Sequence, residues 1–149
     1  VTQALDSYPL HREDRVAFHV VMHNGDFLYR GSDLLMRHVL FNLFKNSLRA
    51  IKEARGGTIP ITLLPDPAGM MNCLRIRDTG TGIPGRDLPH VFEPFYSGRH
   101  DGTRVGVGLA FCRRVIESFN GAISCTSQEG DYTEFNIHLP AATERSTLE

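Results

Sequence analysis

The chain has 149 residues, of which 41% are hydrophobic and 22% are charged, which is the size and composition of one globular domain. No run approaches the roughly 20 apolar residues that span a bilayer, so the sequence excludes a transmembrane chain as well as a wholly disordered one. A net charge of -1 gives no support to a nucleic-acid partner, and three cysteines without close spacing argue against a disulfide framework.

The first predicted elements are a hairpin and a long helix. Apolar residues alternate over residues 15–23, which predicts a strand with one buried face. An Asn-Gly-Asp turn at 24–26 then joins this strand to a short run at 27–30. Ser32 suits a helix N-cap, and residues 34–54 contain no Gly or Pro. We therefore expect one helix over 34–54, ended by the glycines at 56–57.

The rest of the chain alternates strands and loops with one more helix. Strand patterns at 58–64 and 71–78, joined by a Pro- and Gly-containing turn, predict a second hairpin. A loop-rich stretch at 79–105 precedes a helical pattern at 106–119, and strand patterns at 122–126 and 132–139 predict a last hairpin. This order indicates an α/β fold, a two-layer α/β sandwich with helices on one face of the sheet.

One side of the long predicted helix carries an unusual polar set. At 100° per residue, Asn42, Asn46 and Arg49 lie together, nearly opposite the apolar stripe that packs on the sheet. Asparagine oxygens can coordinate Mg²⁺, a hard cation that is usually shared with phosphates. For this helix taken alone, a solvated polar face is the preferred interpretation.

Two glycine-containing segments stand at the ends of predicted elements, one just after a strand and one at the start of a helix. The period of two places Asp78 on the helix-covered face of its strand, where a buried carboxylate needs hydrogen-bond donors. The glycines at 80 and 82 let backbone approach a planar ligand there, although a plain Asp-Thr-Gly turn is the alternative. The Gly-Val-Gly-Leu run at 106–109 opens a helix, and such an N-terminus can bind phosphate.

Four segments, in this order, closely resemble the ATP-binding catalytic domain of sensor histidine kinases, within the wider ATPase group that includes gyrase, MutL and the heat-shock chaperones. NLFKNS at 42–47 resembles the N box of that family, DTGTGI at 78–83 its first glycine box, FEPFY at 92–96 its F box and GVGLA at 106–110 its second glycine box. The resemblance covers about 15–140 and implies a mixed sheet of the Bergerat type. It leaves 1–14 as a lead-in from the linker to a dimerisation domain and 141–149 as a polar tail.

The resemblance implies a role for each matching residue. Asn46 would be a Mg²⁺ ligand, Arg49 a phosphate contact and Asp78 the partner of the adenine amino group. The expected cofactors are therefore ATP and Mg²⁺. The other implied nucleotide contacts are Gly80, Gly82 and Ile83 in the adenine pocket, Phe92 and Phe95 as anchors of a lid at 97–105, and Gly106, Val107, Gly108 and Leu109 near the phosphates.

Position 42 separates kinases from hydrolases in this group. The members that hydrolyse ATP carry a Glu there, four residues before the Mg²⁺ ligand, as the general base that activates water. Asn42 cannot accept a proton, which favours transfer of the γ-phosphoryl group to a nucleophile. Arg99 in the expected lid is the candidate γ-phosphate contact and Arg104 is the runner-up, while a solvated loop arginine is an equally good interpretation. The predicted catalytic residues are therefore Asn42, Asn46, Arg49 and Arg99.

The expected nucleophile lies outside this chain. In histidine kinases it is a histidine followed by Glu or Asp on a helical dimerisation domain, and none of the seven histidines here fits that pattern in that context. The resemblance therefore implies a dimerisation domain of the same protein as partner, with a response regulator or receiver domain downstream. It implies a homodimeric parent protein in the cytoplasm, with anchoring in the inner membrane left open. The alternative function is a nucleotide-binding regulatory module, such as an anti-sigma-factor-like kinase or a degenerate kinase domain.

The sequence departs from the family pattern in two places. Arg104 and Val105 stand where Gly-Thr often precedes the second glycine box, and Asn120 stands where the family often has the first of two glycines. Asn tolerates the left-handed conformation that a helix end requires, so the second departure is minor. The spacing from Phe18 into the N box and the short predicted lid are similar to those of hybrid sensor kinases of the quorum-sensing type.

Overall fold

The computed structural model describes residues 1–96 and 108–142, which form a mixed five-stranded sheet with helices on one face. The strand order is β1-β2-β3-β5-β4, in which β1 and β2 are parallel and the other neighbours antiparallel. The predicted two-layer α/β sandwich with a mixed sheet is confirmed. The elements are α1 (Thr2–Ser7), α2 (Arg12–Arg15), β1 (Phe18–Met22), α3 (Asp33–Glu53), β2 (Ile59–Leu64), β3 (Met71–Asp78), a 3-10 turn (Leu88–His90), α4 (Gly108–Ser118), β4 (Ala122–Gln128) and β5 (Tyr132–Pro140).

The predicted N-terminal hairpin is wrong. Strand β1 pairs in parallel with β2, with Phe18 opposite Ile59, and Tyr29 forms an isolated antiparallel bridge with Ala141. Parallel strands need a long crossover, and α3 supplies it, so β1, α3 and β2 form a βαβ unit. The alternation of apolar residues predicts a strand here, but it does not predict which other strand pairs with it. The expected buried face is also incomplete, because Phe18 is buried while Val20 is exposed at this edge of the sheet.

Helix α3 is the element that carries most of the predicted site. The Ser32 hydroxyl accepts a hydrogen bond from the backbone N–H of Leu35 at 3.1 Å, as an N-cap does, and confirms the predicted start. At the other end, the N–H of Gly56 donates to the carbonyl of Ile51 at 2.8 Å with a positive φ of 139°. The buried stripe that packs on the sheet contains Met36, Val39, Leu40, Leu43, Phe44, Ser47, Leu48 and Ile51.

The core lies between the sheet and the helices. Buried side chains of β2, β3 and β5 meet α3 and α4, and the Cys112 thiol of α4 lies 3.7 Å from the Val39 carbonyl of α3. The other face of the sheet is polar, since Arg77 and Glu134 pair there at 3.4 Å. The core side chains of the strands are Phe18, Ile59, Ile61, Leu74, Ile76, Phe135, Ile137 and Leu139.

The segment before β1 packs against α3. Leu5 of α1 is buried, and the ring of Tyr8 makes an edge contact with Phe41 at a centroid distance of 5.1 Å. Lys52 of α3 pairs with Asp14 at 3.1 Å. These contacts make residues 1–15 a layer on the outer side of the helix. None of the helices in the described ranges is both long and apolar enough to cross a membrane.

Candidate functional site

The carboxylate of Asp78 lies at the buried end of β3, where the strand leads into the first glycine loop. Its side chain is only 2% exposed, and its Oδ1 accepts a hydrogen bond from the backbone N–H of Gly80 at 3.0 Å. In the described part of the chain no group donates to Oδ2. Burial raises the pKa of Asp78 from 3.8 to about 6, and the Gly80 N–H, the Ser47 hydroxyl and the Arg77 charge offset part of that rise. The site therefore holds a desolvated acceptor with one oxygen open to a donor.

The glycines of this loop are required by close backbone packing. A Cβ at Gly80 would lie 2.4 Å from the carbonyl carbon of Ala50 in α3. Gly82 has φ +71°, and its Cβ would lie 2.3 Å from the carbonyl oxygen of Gln128 in β4. The N–H of Ile83 also donates to the Ser127 hydroxyl at 2.8 Å. The loop is thus clamped between α3 and the β4–β5 hairpin, which fixes Asp78 at its start.

Asn42 and the start of α4 lie against each other. The amide nitrogen of Asn42 donates to the backbone carbonyl of His38 at 2.9 Å, which leaves its Oδ1 as the free acceptor. A Cβ built on Gly108 would lie 2.6 Å from that Oδ1. The structure therefore brings together the N box and the second glycine box, as the sequence motifs predict. The next residue, Leu109, packs against the core.

Asn46 and Arg49 follow Asn42 on the same side of α3, and both are half-buried. Within residues 1–96 and 108–142 the amide of Asn46 makes no hydrogen bond, so its oxygen is available to a ligand. Arg49 lines a cavity of about 550 Å³ between α3 and the lead-in, together with Tyr8 and Lys52. The structure thus places Arg49 at the edge of the asparagine pair, on the side of the lead-in.

The side-chain oxygens at this site suit Mg²⁺ only if an anionic ligand binds together with the ion. No group of three or more His, Cys, Asp or Glu side chains that could hold a metal occurs in the described ranges. The available oxygens on α3 are neutral amides, and Mg²⁺ is commonly held by few protein ligands together with substrate phosphates. Asn42 and Asn46 therefore fit a cation that arrives with phosphate, and they do not form a metal centre by themselves.

The F-box segment is held by Phe92 rather than by Phe95. Phe92 meets Phe135 of β5 edge to face, with ring centroids 6.3 Å apart. Phe95 does not anchor the segment, because its side chain is 76% exposed and its backbone has φ +64°. The hydroxyl of Tyr96 donates instead to the buried carboxylate of Asp87. The sequence motif identifies both phenylalanines, but the left-handed backbone that exposes Phe95 leaves no signal in it.

Some predicted residues lie outside the described residues. They include Arg99, the runner-up Arg104, the rest of the expected lid at 97–105, Gly106 and Val107. The helix end at Asn120 is described, and its φ of +61° confirms that Asn takes the left-handed position expected there.

Ser47 lies on the buried face of α3 among apolar residues, and no sequence motif gives it a role of its own. It is 1% exposed, and its hydroxyl has no hydrogen-bond partner of standard geometry in the described part of the chain. A serine at a core position of a helix stripe is the only signal that could have identified it.

The family model described as histidine kinase-, DNA gyrase B-, and HSP90-like ATPase matches residues 31–143. The CAI-1 autoinducer sensor kinase/phosphatase CqsS of Vibrio cholerae is 40% identical over 114 residues, which cover 76% of this chain and 16% of CqsS. The autoinducer 1 sensor kinase/phosphatase LuxN of Vibrio campbellii is 32% identical over 140 residues, which cover 94% of this chain and 16% of LuxN. The chain thus spans about one sixth of the length of these relatives.

Solved structures share the fold. The mycobacterial sensor histidine kinase MprB superposes with a TM-score of 0.74 at 24% identity, covering 94% of this chain and 93% of that one. The nucleotide-free catalytic domain of the histidine kinase ThkA gives 0.72 at 22% identity, with 95% of each chain covered. At these identities the likeness shows a common architecture.

Proposed function

Because the chain belongs to the histidine kinase-, DNA gyrase B- and HSP90-like ATPases, we propose that it binds Mg²⁺-ATP and transfers the γ-phosphoryl group to a histidine. That histidine would lie on a separate dimerisation domain of a two-component sensor kinase. The observation that carries the proposal is the buried Asp78 carboxylate, which lies beside the helix that carries Asn42 and Asn46. Among the described residues, only one of its two oxygens receives a hydrogen bond.

Asp78 would read the adenine base. The exocyclic amino group of adenine donates hydrogen bonds, and a desolvated carboxylate is a strong acceptor for it. Guanine presents a carbonyl oxygen at the corresponding position, which would repel the carboxylate. Gly80, Gly82 and Ile83 belong to the clamped loop beside Asp78, so the base would have a rigid wall to lie against.

The phosphates would lie over α3 and the start of α4. Asn46 would hold Mg²⁺, with Asn42 beside it, and the ion would offset the phosphate charge. Arg49 would add a positive charge at the edge of this region, and Arg99 would contact the γ-phosphate. The proposed nucleotide contacts are completed by Phe92, Gly106, Val107, Gly108 and Leu109, without the exposed Phe95.

The chemistry at position 42 favours transfer over hydrolysis. Asn42 already donates its amide N–H to the His38 carbonyl, and an amide oxygen cannot remove a proton from water. The acidic residues of α3 are Asp33 and Glu53, each more than two turns away from Asn42. The protein would therefore contribute positioning and charge, and a partner would contribute the nucleophile.

The proposed partner is a histidine-bearing dimerisation domain of the same protein, in a homodimer that would pass the phosphoryl group to a response regulator or receiver domain. The two autoinducer sensor kinase/phosphatases that match this chain are roughly five and six times as long, which leaves room for such domains in a protein of that kind. If the chain is a kinase domain, it should hydrolyse ATP only slowly when no partner is present. Rapid hydrolysis of ATP by the isolated chain would contradict the kinase assignment.

Replacing Asn46 by Ala should reduce the contribution of Mg²⁺ to ATP affinity. We expect affinity in the presence of Mg²⁺ to fall about tenfold, because a ligand oxygen is lost, while binding in EDTA changes much less. Calorimetric titration with and without Mg²⁺ measures both values. Asn24→Ala, which removes an exposed loop amide, is the matched control. Equal losses in both conditions would mean that Asn46 acts on the fold and not on the metal.

A further inference from the structure

Asp87 and Tyr96 join the two ends of the segment 87–96, which contains the F box. Asp87 lies just before the 3-10 turn, and it is only 6% exposed. The hydroxyl of Tyr96, the last residue of the F box, donates a hydrogen bond to Oδ1 of the Asp87 carboxylate. A buried carboxylate is costly without a donor, so this contact constrains both residues. The hydrogen bond therefore closes the segment 87–96 into a loop at its base.

Neighbouring groups support this hydrogen bond from both sides. The rings of His90 and Tyr96 lie against each other at a centroid distance of 5.0 Å, and His90 Nδ1 lies 2.9 Å from Oε1 of Glu93. The backbone N–H of Tyr96 donates to the Glu93 carbonyl at 3.3 Å. The exposed guanidinium of Arg86 lies 4.0 Å from the other oxygen of Asp87. The tie is thus part of a connected polar cluster.

The backbone just before Tyr96 also indicates a firm tie. Phe95 has φ +64°, a left-handed conformation that is costly for a residue other than glycine and persists only where neighbouring contacts require it. The Phe95 side chain is 76% exposed, so its own packing does not impose this conformation. The hydrogen bond of the next residue, Tyr96, to Asp87 does impose a fixed path on the chain.

The closed loop lies on the face of the sheet that carries Asp78. Its 3-10 turn lies against β4, and Phe92 meets Phe135 of β5 edge to face. Thr133, two residues before Phe135 on β5, is opposite Asp78 in the register of β3 and β5. Side chains two residues apart on a strand share a face, so Phe135 and Asp78 both point to the helical layer. Phe92 is therefore held on the side of the sheet where the adenine base is proposed to bind.

We propose that Asp87 and Tyr96 are positioning residues of the nucleotide site, whose hydrogen bond holds Phe92 beside the base. The inference rests on the proposed adenine nucleotide site. It deepens that site by giving a joint role to the end of the F box and to Asp87, which lies outside all four sequence motifs. Both residues act through Phe92 and do not touch the nucleotide themselves.

Tyr96→Phe tests the inference because it removes only the hydroxyl. A loop that is no longer closed must be ordered when the nucleotide binds, so we expect ADP affinity to fall about threefold to tenfold. The loss should be equal with Mg²⁺ and in EDTA, because Phe92 acts at the base and not at the metal. Calorimetric titration measures both values. Tyr132→Phe is the matched control, since that ring contacts Arg77 on the opposite face of the sheet, and it should leave ADP affinity unchanged.

Substitutions at Asp87 separate positioning from a general effect on stability. Asp87→Asn keeps an oxygen that accepts the Tyr96 hydrogen bond, so ADP affinity should stay within about twofold of the parent. Asp87→Ala removes the acceptor and should weaken ADP binding as much as Tyr96→Phe does. The double variant Asp87→Ala with Tyr96→Phe should bind no more weakly than either single variant, because one hydrogen bond is lost in all three. All titrations are made at a temperature at which circular dichroism shows each variant to be folded.

Parent-like ADP affinity in Tyr96→Phe would overturn the inference, whatever the change in its free energy of unfolding. Losses that add in the double variant would also overturn it, because the two residues would then act separately. Absence of nucleotide binding by the parent domain would instead overturn the proposed function. Proton NMR contacts between the Phe92 and Phe135 rings would still test the hydrogen bond, since their retention in Tyr96→Phe would contradict its role in holding Phe92 and their loss would support it.

Discussion

Asp78→Asn should weaken ATP and ADP binding roughly a hundredfold, which corresponds to about 3 kcal/mol. The carboxylate offers one oxygen to the N–H of Gly80 and the other to the adenine amino group. An amide has one oxygen and one NH₂ group in these two places, so a donor must face a donor at one of them. Calorimetric titration at pH 7.5 measures the loss.

The same substitution should leave the fold as stable as before, or more stable. The pKa of Asp78 is about 6 in the folded protein against 3.8 for an ordinary Asp, so at pH 7 its buried charge costs on the order of 2–3 kcal/mol. The folded state binds more protons between these two values, and parent stability from this group therefore rises as the pH falls from about 7 to 4. Urea unfolding should show this rise in the parent and not in Asp78→Asn.

Asp26→Asn, in an exposed loop, is the matched control for the charge change. It should alter neither nucleotide affinity nor the pH dependence of unfolding. An Asp78→Asn domain that binds ATP like the parent would show that the adenine assignment is incorrect. A domain that fails to fold would show that Asp78 holds the first glycine loop together and that its role is structural.

Gly80→Ala should destabilise the domain by about 3 kcal/mol, a large overpacking effect. The added Cβ would lie 2.4 Å from a backbone carbon of Ala50 and 2.6 Å from its oxygen, and the backbone of α3 cannot move aside as a side chain could. The loop must then shift away from α3 and take Asp78 with it, so ADP affinity should fall as well. Urea unfolding and ADP titration check the two effects.

Gly85→Ala is the matched control, since a Cβ there has no heavy atom within 4 Å. It should change the free energy of unfolding by less than about 0.5 kcal/mol. If Gly80→Ala is as stable as Gly85→Ala, the loop and α3 do not pack as closely as the structure has them.

Much of the fold follows from local patterns in the sequence. The bounds of α3 follow from the Ser32 cap and the glycines after Ala54, and the hairpins β2–β3 and β4–β5 follow from alternation joined by short turns. The sequence does not predict the partner of strand β1, because alternation does not distinguish an antiparallel neighbour from a parallel one across α3. The packing of the lead-in against α3 depends on tertiary contacts, such as that of Tyr8 with Phe41, which no local pattern encodes.

The candidate site also combines features that the sequence pattern predicts with features that depend on tertiary contacts. Spacing predicts that Asn42 and Asn46 share one side of α3, and motif order predicts that Gly108 lies near them. The approach of the first glycine loop to α3, which fixes Gly80, needs two segments distant in sequence to be placed together.

Transfer of labelled phosphate from ATP tests the central claim most directly. Incubated with Mg²⁺ and ATP labelled at the γ-position, the isolated chain should gain no acid-labile phosphate on any of its seven histidines. With the histidine-bearing dimerisation domain of the same protein added as a separate polypeptide, we expect slow labelling of that histidine, because the effective concentration given by covalent linkage is absent. Label on a histidine of this chain alone would contradict the account. Failure to label the added domain at high concentration, with ATP bound, would contradict the kinase assignment in favour of a regulatory nucleotide-binding module.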